Sequence, residues 1–444
     1  MGTINNYGNI LLPAGSNTID VQSLLTAALQ ADAIPLNNIE NQQTTLQNQM
    51  SALQGIQSDM QALQTAVSDL TSTGGSVNSF TTTSSNSSIV TGSADPTATA
   101  GSHSIVVNSL ATTSSYYTDP VTSGNSITQG SFDIAVGNNQ AVTINVTSAN
   151  NDLNDLAASI NGQNAGVTAT VVTDATGSRL ALVSNTSGSA GNITISNNTT
   201  NLNFNLANQG QDASLTVDGV PIDSTSNTVS TVIPGVTLNL AGAAQGTTVN
   251  LTVAPDANQA SSAINAFVSA WNKVIGDLNS QFDVTSTNTG GPLEADNTLR
   301  SVQDQLLSAI TASVGGNGGI VNLASIGVNM NDDGTLTVDS GTLANALNNN
   351  FNSVQSMLQG AGGVATFLSN TMSQITDPAQ GSLTLDLQGM QQSNTSLANQ
   401  LTAMQAQFRT QEQDLTNQYS QLEVTLQEMP GLQSQISQQL TSLG

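Results

Sequence analysis

The stretch LQNQMSALQGIQSDMQALQTAVSDL, residues 46–70, decides the architecture. Leu46, Met50, Leu53, Ile56, Met60, Leu63, Val67 and Leu70 follow one another at steps of three or four, with Gln, Ser, Thr and Asn between them. This spacing lays an apolar stripe along one side of a polar helix, close to a coiled-coil seam. Thr73-Gly74-Gly75 ends it. Upstream, Asp20 reads as an N-cap before Val21, Leu24, Leu25 and Leu29, and Pro35 is expected to bend or restart the helix. The other end of the chain carries the same pattern. Leu397, Leu401, Met404, Phe408, Leu415, Tyr419, Leu422, Leu426 and Met429 keep steps of three, four or seven. Pro430-Gly431 is expected to break that run before Leu432, Ile436, Leu440 and Leu443 resume it.

Between the stripes the period changes to two. Ser104–Val107, Phe132–Val136, Val142–Val146, Val167–Val171, Arg179–Val183, Leu215–Val217, Val236–Leu240 and Val249–Val253 are short alternating runs rich in Val and Thr, which predicts strands. One helix interrupts them, with Leu153, Leu156, Ala157 and Ile160 on one face and Asn161-Gly162 closing it. Helix returns after Pro255, where Ile264, Phe267, Val268, Trp271, Ile275, Leu278 and Phe282 share a face. A second helix is expected near Leu299–Val314, and a hairpin at Val328–Val338 turning at Asp333-Gly334. Neither terminal stripe can be buried all round, and each is the simplest cover for the other. The fold class is therefore α+β: a discontinuous helical, coiled-coil-like stalk built from both termini, with inserted β-rich head domains. Covering of the stripes by further copies of the chain is also expected, because the stripes persist into both chain ends.

Composition narrows the function. Of 444 residues, 7% are charged, 29 acidic against 4 basic, for a formal net charge of −25. The basic inventory is Arg179, Lys273, Arg300 and Arg409, too little for phosphate neutralisation, so nucleic acid is excluded, as is docking to an anionic membrane. No apolar run approaches the ~18 residues of a membrane span. There is no cysteine, which removes disulfides and thiolate chemistry, and His103 is the single histidine. No metal, no cofactor and no catalytic residues are expected; the chain reads as a non-enzyme. Met1–Asp20 has neither a basic nor an apolar signal region, so no cleavable secretion signal is expected.

Several motifs invite a sharper reading. Asn329–Gly334 resembles the start of a calcium loop, but the twelfth position, where a bidentate Glu belongs, is Ser340, so the segment reads as a turn. His103 precedes a predicted strand with no carboxylate partner apparent, and reads as a surface or partly buried histidine. The N-x-[ST] matches at Asn86, Asn145, Asn185, Asn192 and Asn250 read as strand and turn residues in an Asn- and Thr-rich chain. Tyr116-Tyr117 sit in a polar, loop-like context and read as packing beneath a loop.

With these elements in order, the chain resembles the flagellar filament cap family, hook-associated protein 2. Ile19–Leu25 is similar to that family's opening, and Pro35-Leu36 followed by Leu46–Leu70 fits its first long helix. Ser104–Ala111 resembles its first β signature, and Leu153–Val171 the module shared by flagellins and hook proteins. Asp218-Gly219, Asn227–Val229, Ile233–Leu238, Gly291–Leu293, Asp296–Arg300, Ile326–Val328 and Asp333–Leu336 fit its second half.

The resemblance implies a leg-and-head protein at the distal, extracellular tip of the bacterial flagellum, exported through the flagellar type III channel. It implies a ring of copies of itself, with five-fold symmetry as the working expectation. Its further partners would be flagellin, the hook-filament junction protein and a cytoplasmic chaperone recognising the C-terminal region. The implied division places terminal leg helices at 1–45 and 400–444 and a helical stalk at 46–75 and 256–399. It places one head domain at 76–119 and 208–255, and an inserted one at 120–207. Leg contacts are expected from Leu46, Met50, Leu53, Met60, Leu63, Leu401, Met404, Phe408, Leu415, Tyr419, Leu422 and Leu426, and the stalk core from Phe267, Trp271 and Ile275. The rival readings are a filament or hook-filament junction subunit, and a surface adhesin. The chain departs from the family in its scarcity of Lys and Arg. Below about pH 4 most of its carboxylates would be neutral, so ring formation is expected to strengthen as pH falls.

Overall fold

The computed structural model describes residues 21–122, 127–284 and 290–442. Asp20 and Leu443 lie outside them. The described chain forms two compact units: one from residues up to Ser68, Asn265–Leu343 and Ser356 onward, the other from Asp69–Ile264 and Ala344–Gln355.

Two long helices dominate the first unit: α1 (Val21–Thr71) and, at the other end of the chain, a helix spanning Ser382–Ser442. Both contain a proline: Pro35, expected to bend or restart the helix, and Pro430, expected to break it. Pro35 and Pro430 are instead absorbed within continuous helix. A helical proline forfeits one N–H and crowds the carbonyl four residues back. Both prolines are exposed, so water can satisfy the freed carbonyl.

The second unit is mainly antiparallel β-sheet, with one α-helix lying wholly inside it among the described residues. Its strands, in chain order, are β1 (Phe80–Ser84), β2 (Val90–Ala94), β3 (Gly101–Ser109), β4 (Thr113–Thr118), β5 (Gly130–Val136) and β6 (Val142–Val146). After α2 (Leu153–Gly162) come β7 (Val167–Asp174), β8 (Gly177–Ser187), β9 (Ile193–Ser196) and β10 (Phe204–Asn208). The last are β11 (Ala213–Val217), β12 (Val220–Ser224), β13 (Thr228–Ile233), β14 (Val236–Leu240) and β15 (Val249–Pro255). Sheets of order β1-β15-β3-β11-β12 and β13-β14-β2 enclose one core around Ile105, Val107, Leu215, Leu238 and Leu251. Sheets β10-β4-β8-β7 and β6-β5-β9, with α2, enclose a second around Phe132, Ile134, Leu156, Ile160 and Leu180. The chain enters the second core at β4, which pairs with β8 and β10, and leaves it after β10.

The strand alternation has a direct physical reading. In β15, Val249, Leu251 and Val253 are buried while Asn250 and Thr252 are exposed; in β5, Phe132, Ile134 and Val136 point inward. α2 begins where Asp152 Oδ1 accepts the N–H groups of Asn154 (2.6 Å) and Asp155 (3.0 Å). Two asparagines then stitch core edges. Asn161 brackets Ala169, accepting its N–H at 2.8 Å and donating to its carbonyl at 2.9 Å. Asn227 does the same to Ala111, at 2.7 and 3.0 Å. A side-chain amide presents one donor and one acceptor, so it can complete a backbone edge as a strand would.

The short-turn chemistry is also amide and hydroxyl. Asp95, Asp174, Asp333 and Asn198 each accept the backbone N–H of the Thr two residues on. Asn86, the first glycosylation-pattern match, makes the same turn with Ser88. Tyr116-Tyr117 lie on strand β4 rather than in a loop, because Ser114 and Thr118 fill its buried positions and hid the alternation from a hydrophobic reading. His103 likewise lies within β3, and it does have a carboxylate partner: its Nδ1 is 2.8 Å from Asp218 Oδ2. The two are 115 positions apart, joined only because β11 lies beside β3. Asp218 (φ 51°) and Gly219 (φ 83°) form the two-residue turn between β11 and β12, whose positive φ at both positions suits Asp-Gly. His103, then the Ser104 N–H, hold the Asp218 carboxyl below the usual range.

The remaining elements are α3 (Ala257–Phe282), α4 (Asn297–Ile310), the hairpin of β16 (Val328–Met330) and β17 (Leu336–Val338), α5 (Ser340–Asn349), α6 (Phe351–Gln359), α7 (Val364–Thr376) and α8, the Ser382–Ser442 helix. α3 starts, and α5 and α6 meet, in the stretches assigned to the second unit. α4 stops at Ile310 rather than reaching Val314, since the Val314 N–H turns to the Val321 carbonyl at 2.8 Å.

Candidate interaction surface

Within the first unit, α3 carries a buried apolar face. Phe267, Trp271 and Ile275 are all buried on one face, and Phe267 and Trp271 rings lie 6.3 Å apart in a tilted arrangement. Trp271 Nε1 donates to the Gly334 carbonyl at 2.9 Å, which gives a fully buried indole its required partner and fixes the β16–β17 turn on the helix. The neighbouring Asn272 brackets Leu336, accepting its N–H at 2.6 Å and donating to its carbonyl at 2.8 Å. Hydrophobic periodicity does not find Asn272; its signal is an amide directly beside the single Trp. Lys273 pairs with Asp59 of α1 at 3.1 Å and with Asp277 one turn on. Burial, then the Asp277 carboxyl, raise Asp59 above its usual value.

Along α1, Leu53, Ile56, Met60, Leu63, Val67 and Leu70 are buried, while Leu46 and Met50 are half-buried. Removing such side chains from water contributes roughly 1.5–3 kcal/mol each. The α8 stripe is less covered. Leu401, Met404, Phe408, Leu415, Tyr419 and Leu426 are half-buried, and Leu422 is 41% exposed. Beyond it Met429, Leu432, Ile436 and Leu440 are 54–68% exposed. An apolar helix face left open over that length is an interaction surface by composition.

Between α1 and α8 runs a groove of about 540 Å³, lined by Leu29, Ala33 and Leu36 on one side and Phe408, Arg409 and Glu412 on the other. Where α8 meets α4, the Asp386 carboxyl is pushed up to about 6 by burial and by the carboxyl of Asp296, which caps α4. Asp386 Oδ2 is buried without a hydrogen-bond partner.

In the second unit, the face of the β4–β8–β7 sheet away from its core exposes Tyr117, Val183 and Val172. Arg179 lies 5.9 Å from the Tyr117 ring centroid and 3.7 Å from Asp174. Among the described residues, no helix is long and apolar enough to cross a membrane, and no group of three or more His, Asp or Glu is placed to hold a metal ion.

Long helices from both ends of the chain, open along part of their apolar faces and flanking an antiparallel β insertion, define a stalked assembly protein. The signature described as the C-terminus of flagellar hook-associated protein 2 matches residues 210–431, and the N-terminal one matches residues 17–114. A flagellin hook IN motif matches residues 131–186. The B-type flagellar hook-associated protein 2 of Pseudomonas aeruginosa is 31% identical over 82% of this chain and 83% of its own length. The flagellar hook-associated protein 2 of Escherichia coli K12 is 26% identical over 95% of this chain and 96% of its own. The crystal structure of the D1-D2-D3 domains of the flagellar cap protein from Escherichia coli matches with a TM-score of 0.61 and 26% identity, covering 77% of this chain and 99% of that one. The chain therefore belongs to the flagellar hook-associated protein 2 family, the structural proteins that cap the flagellar filament. Neither the junction-subunit nor the adhesin reading is favoured by these matches.

Proposed function

We propose that this chain caps the distal end of a flagellar filament as a homo-oligomeric ring, five-fold in the working picture, retaining exported flagellin and guiding it into the growing end. The carrying observation is the α8 stripe, where Leu422, Met429, Leu432, Ile436 and Leu440 stay exposed in a helix reaching the far end of the described chain. A partner has to cover it. Leg contacts then come from Leu46, Met50, Leu53, Met60 and Leu63 on α1 and from Leu401 to Leu426 on α8, with Phe267, Trp271 and Ile275 holding the stalk. The domain division remains that of the sequence: legs at 1–45 and 400–444, stalk at 46–75 and 256–399, heads at 76–119 with 208–255 and at 120–207. The role is mechanical and not enzymatic, using no cofactor. Export through the flagellar type III channel needs no cleavable signal; a cytoplasmic chaperone would take the C-terminal region, and the junction protein would be met at the filament base. With so few cations, apolar seams and amide hydrogen bonds must carry these contacts.

The test is a clean gene deletion, with flagellin assayed in cells and in spent medium. Hooks that remain while unpolymerised flagellin leaks, with filaments recovered on adding the purified protein from outside, are the expected result. Normal filaments in the deletion strain would end the cap reading.

A further inference from the structure

The four cations of this chain are not equivalent. Arg179 is paired with Asp174, and Lys273 with Asp59 and Asp277. Arg300 donates to the Glu294 carbonyl at 2.8 Å and lies 4.2 Å from the Phe282 ring centroid. Arg409 alone makes no ion pair or hydrogen bond with any described residue. It is exposed and lines the groove between α1 and α8, where Leu29, Ala33, Leu36 and Phe408 alternate with amides and with Glu412. In a chain of net charge −25, an uncommitted guanidinium in a groove with apolar contacts at Leu29, Ala33, Leu36 and Phe408 suits a helix that carries both an apolar stripe and a carboxylate.

The same chain holds such a helix. From Leu422 to Leu440 the α8 stripe is open except at half-buried Leu426, and Glu423 and Glu428 flank it with no cation among residues 410–442. The stripe cannot fold back onto the groove of its own chain. Arg409 and Glu423 are 14 positions apart on one continuous helix, which holds them about 21 Å apart. We propose that the groove beside Arg409 receives the Leu422–Leu440 segment of a second copy, with Arg409 pairing to Glu423 or Glu428 across the subunit boundary. The contact is head-to-tail: each copy offers a groove to one neighbour and a stripe to the other. Such contacts close into a ring when the rotation allows it. This rests on the self-assembly proposed above and names residues that would carry it.

The purified full-length chain is compared with Arg409→Glu and with the triple swap Arg409→Glu, Glu423→Arg, Glu428→Arg, by sedimentation at low and high salt. All three sites lie on helix surface, and unchanged far-UV circular dichroism checks the fold. Expected results are association about tenfold weaker in Arg409→Glu, recovery in the swap, and a difference that shrinks at high salt. Because the natural chain has no cysteine, mixing Ala33→Cys with Met429→Cys under oxidation should also give a heterodimer band that neither variant gives alone. If the wild-type chain assembles but Arg409→Glu and the swap assemble equally well and no band forms, the groove assignment falls and the ring stands. If Ala33→Cys crosslinks to itself, groove faces groove and the head-to-tail contact is wrong. If Arg409→Glu assembles normally but no longer restores filaments to a deletion strain, the groove takes flagellin, and the second-copy assignment is overturned. A wild-type chain that stays monomeric at every concentration removes both this contact and the ring.

Discussion

The helical unit and the β unit solve one problem with different amides. Both must wet their surfaces with little charge. The helical unit uses glutamine: Gln400, Gln405, Gln407, Gln411, Gln413, Gln418 and Gln421 punctuate α8. The β unit uses asparagine, with Asn161 and Asn227 bracketing backbone and Asn86 and Asn198 closing turns. The extra methylene explains the division. A glutamine reaches clear of its own backbone and keeps helix propensity, whereas an asparagine competes for nearby N–H and C=O groups. That competition is harmful inside a helix and useful at a turn or sheet edge. Asn272 and Asn279 are instructive exceptions: both sit on α3, yet Asn272 spends its amide on Leu336 of the hairpin and Asn279 donates to the Asp333 carbonyl.

The most disruptive test of this contrast is Trp271→Ala. Losing a fully buried indole and its bond to Gly334 should destabilise the helical unit by about 3–5 kcal/mol. Hydrogen exchange would show α3 amides losing protection while β5 amides keep theirs; equal losses would mean that the regions do not behave as separate units. Next is Asn227→Gln, which keeps the amide but not its reach. Leaving Ala111 unbracketed should cost about 1–3 kcal/mol in urea unfolding, and a neutral result would refute the bracket as a stabilising device.

Acid should separate the units further. Asp95, Asp119, Asp133 and Asp174 in the β unit are held below the usual carboxylate range, chiefly by side-chain hydrogen bonds from Thr97, Asn203, Thr143 and Thr176. Native protein therefore binds fewer protons than unfolded, so this stability is present above about pH 4 and is lost as pH falls through the lowered values. Asp386 has the opposite sign. Raised to about 6, it binds its proton more tightly in the native state, and that stability is lost as pH rises from about 4 through 6. Asp386→Asn should stabilise the helical unit at pH 7 by about 1 kcal/mol after solvent screening and flatten its pH profile. An unchanged profile would show that Asp386 is not strained. The ring mass itself should grow from pH 7 to pH 4 as the net charge falls. The smallest effect belongs to Gln411→Asn, a loss of a few tenths of a kcal/mol in α8 helicity by circular dichroism; the same change producing no loss would weaken the amide rule.

Much of this was readable along the chain because period is a local property. The α1 stripe and the β15 alternation each report burial on one side of one element, and the hairpin at Asp333-Gly334 announces itself in two residues. The elements that escaped were short or hydroxyl-rich. β1 reads Phe-Thr-Thr-Thr-Ser, and β4 buries Ser114 and Thr118. α5 follows a small cap signal, Asp339 accepting the N–H groups of Gly341 and Thr342.

By itself, the sequence determined the order helix, β insertion, helix, the acidic and nearly cation-free surface, and which side of each long element is apolar. All follow from composition and spacing, which act between near neighbours. Only the tertiary structure decided that both prolines stay within helix, that His103 meets Asp218, that Asn272 holds the hairpin, and that Arg409 has no partner among the described residues. Those outcomes depend on which distant segments come within hydrogen-bond reach and on which carbonyls remain open to water, and chain spacing encodes neither.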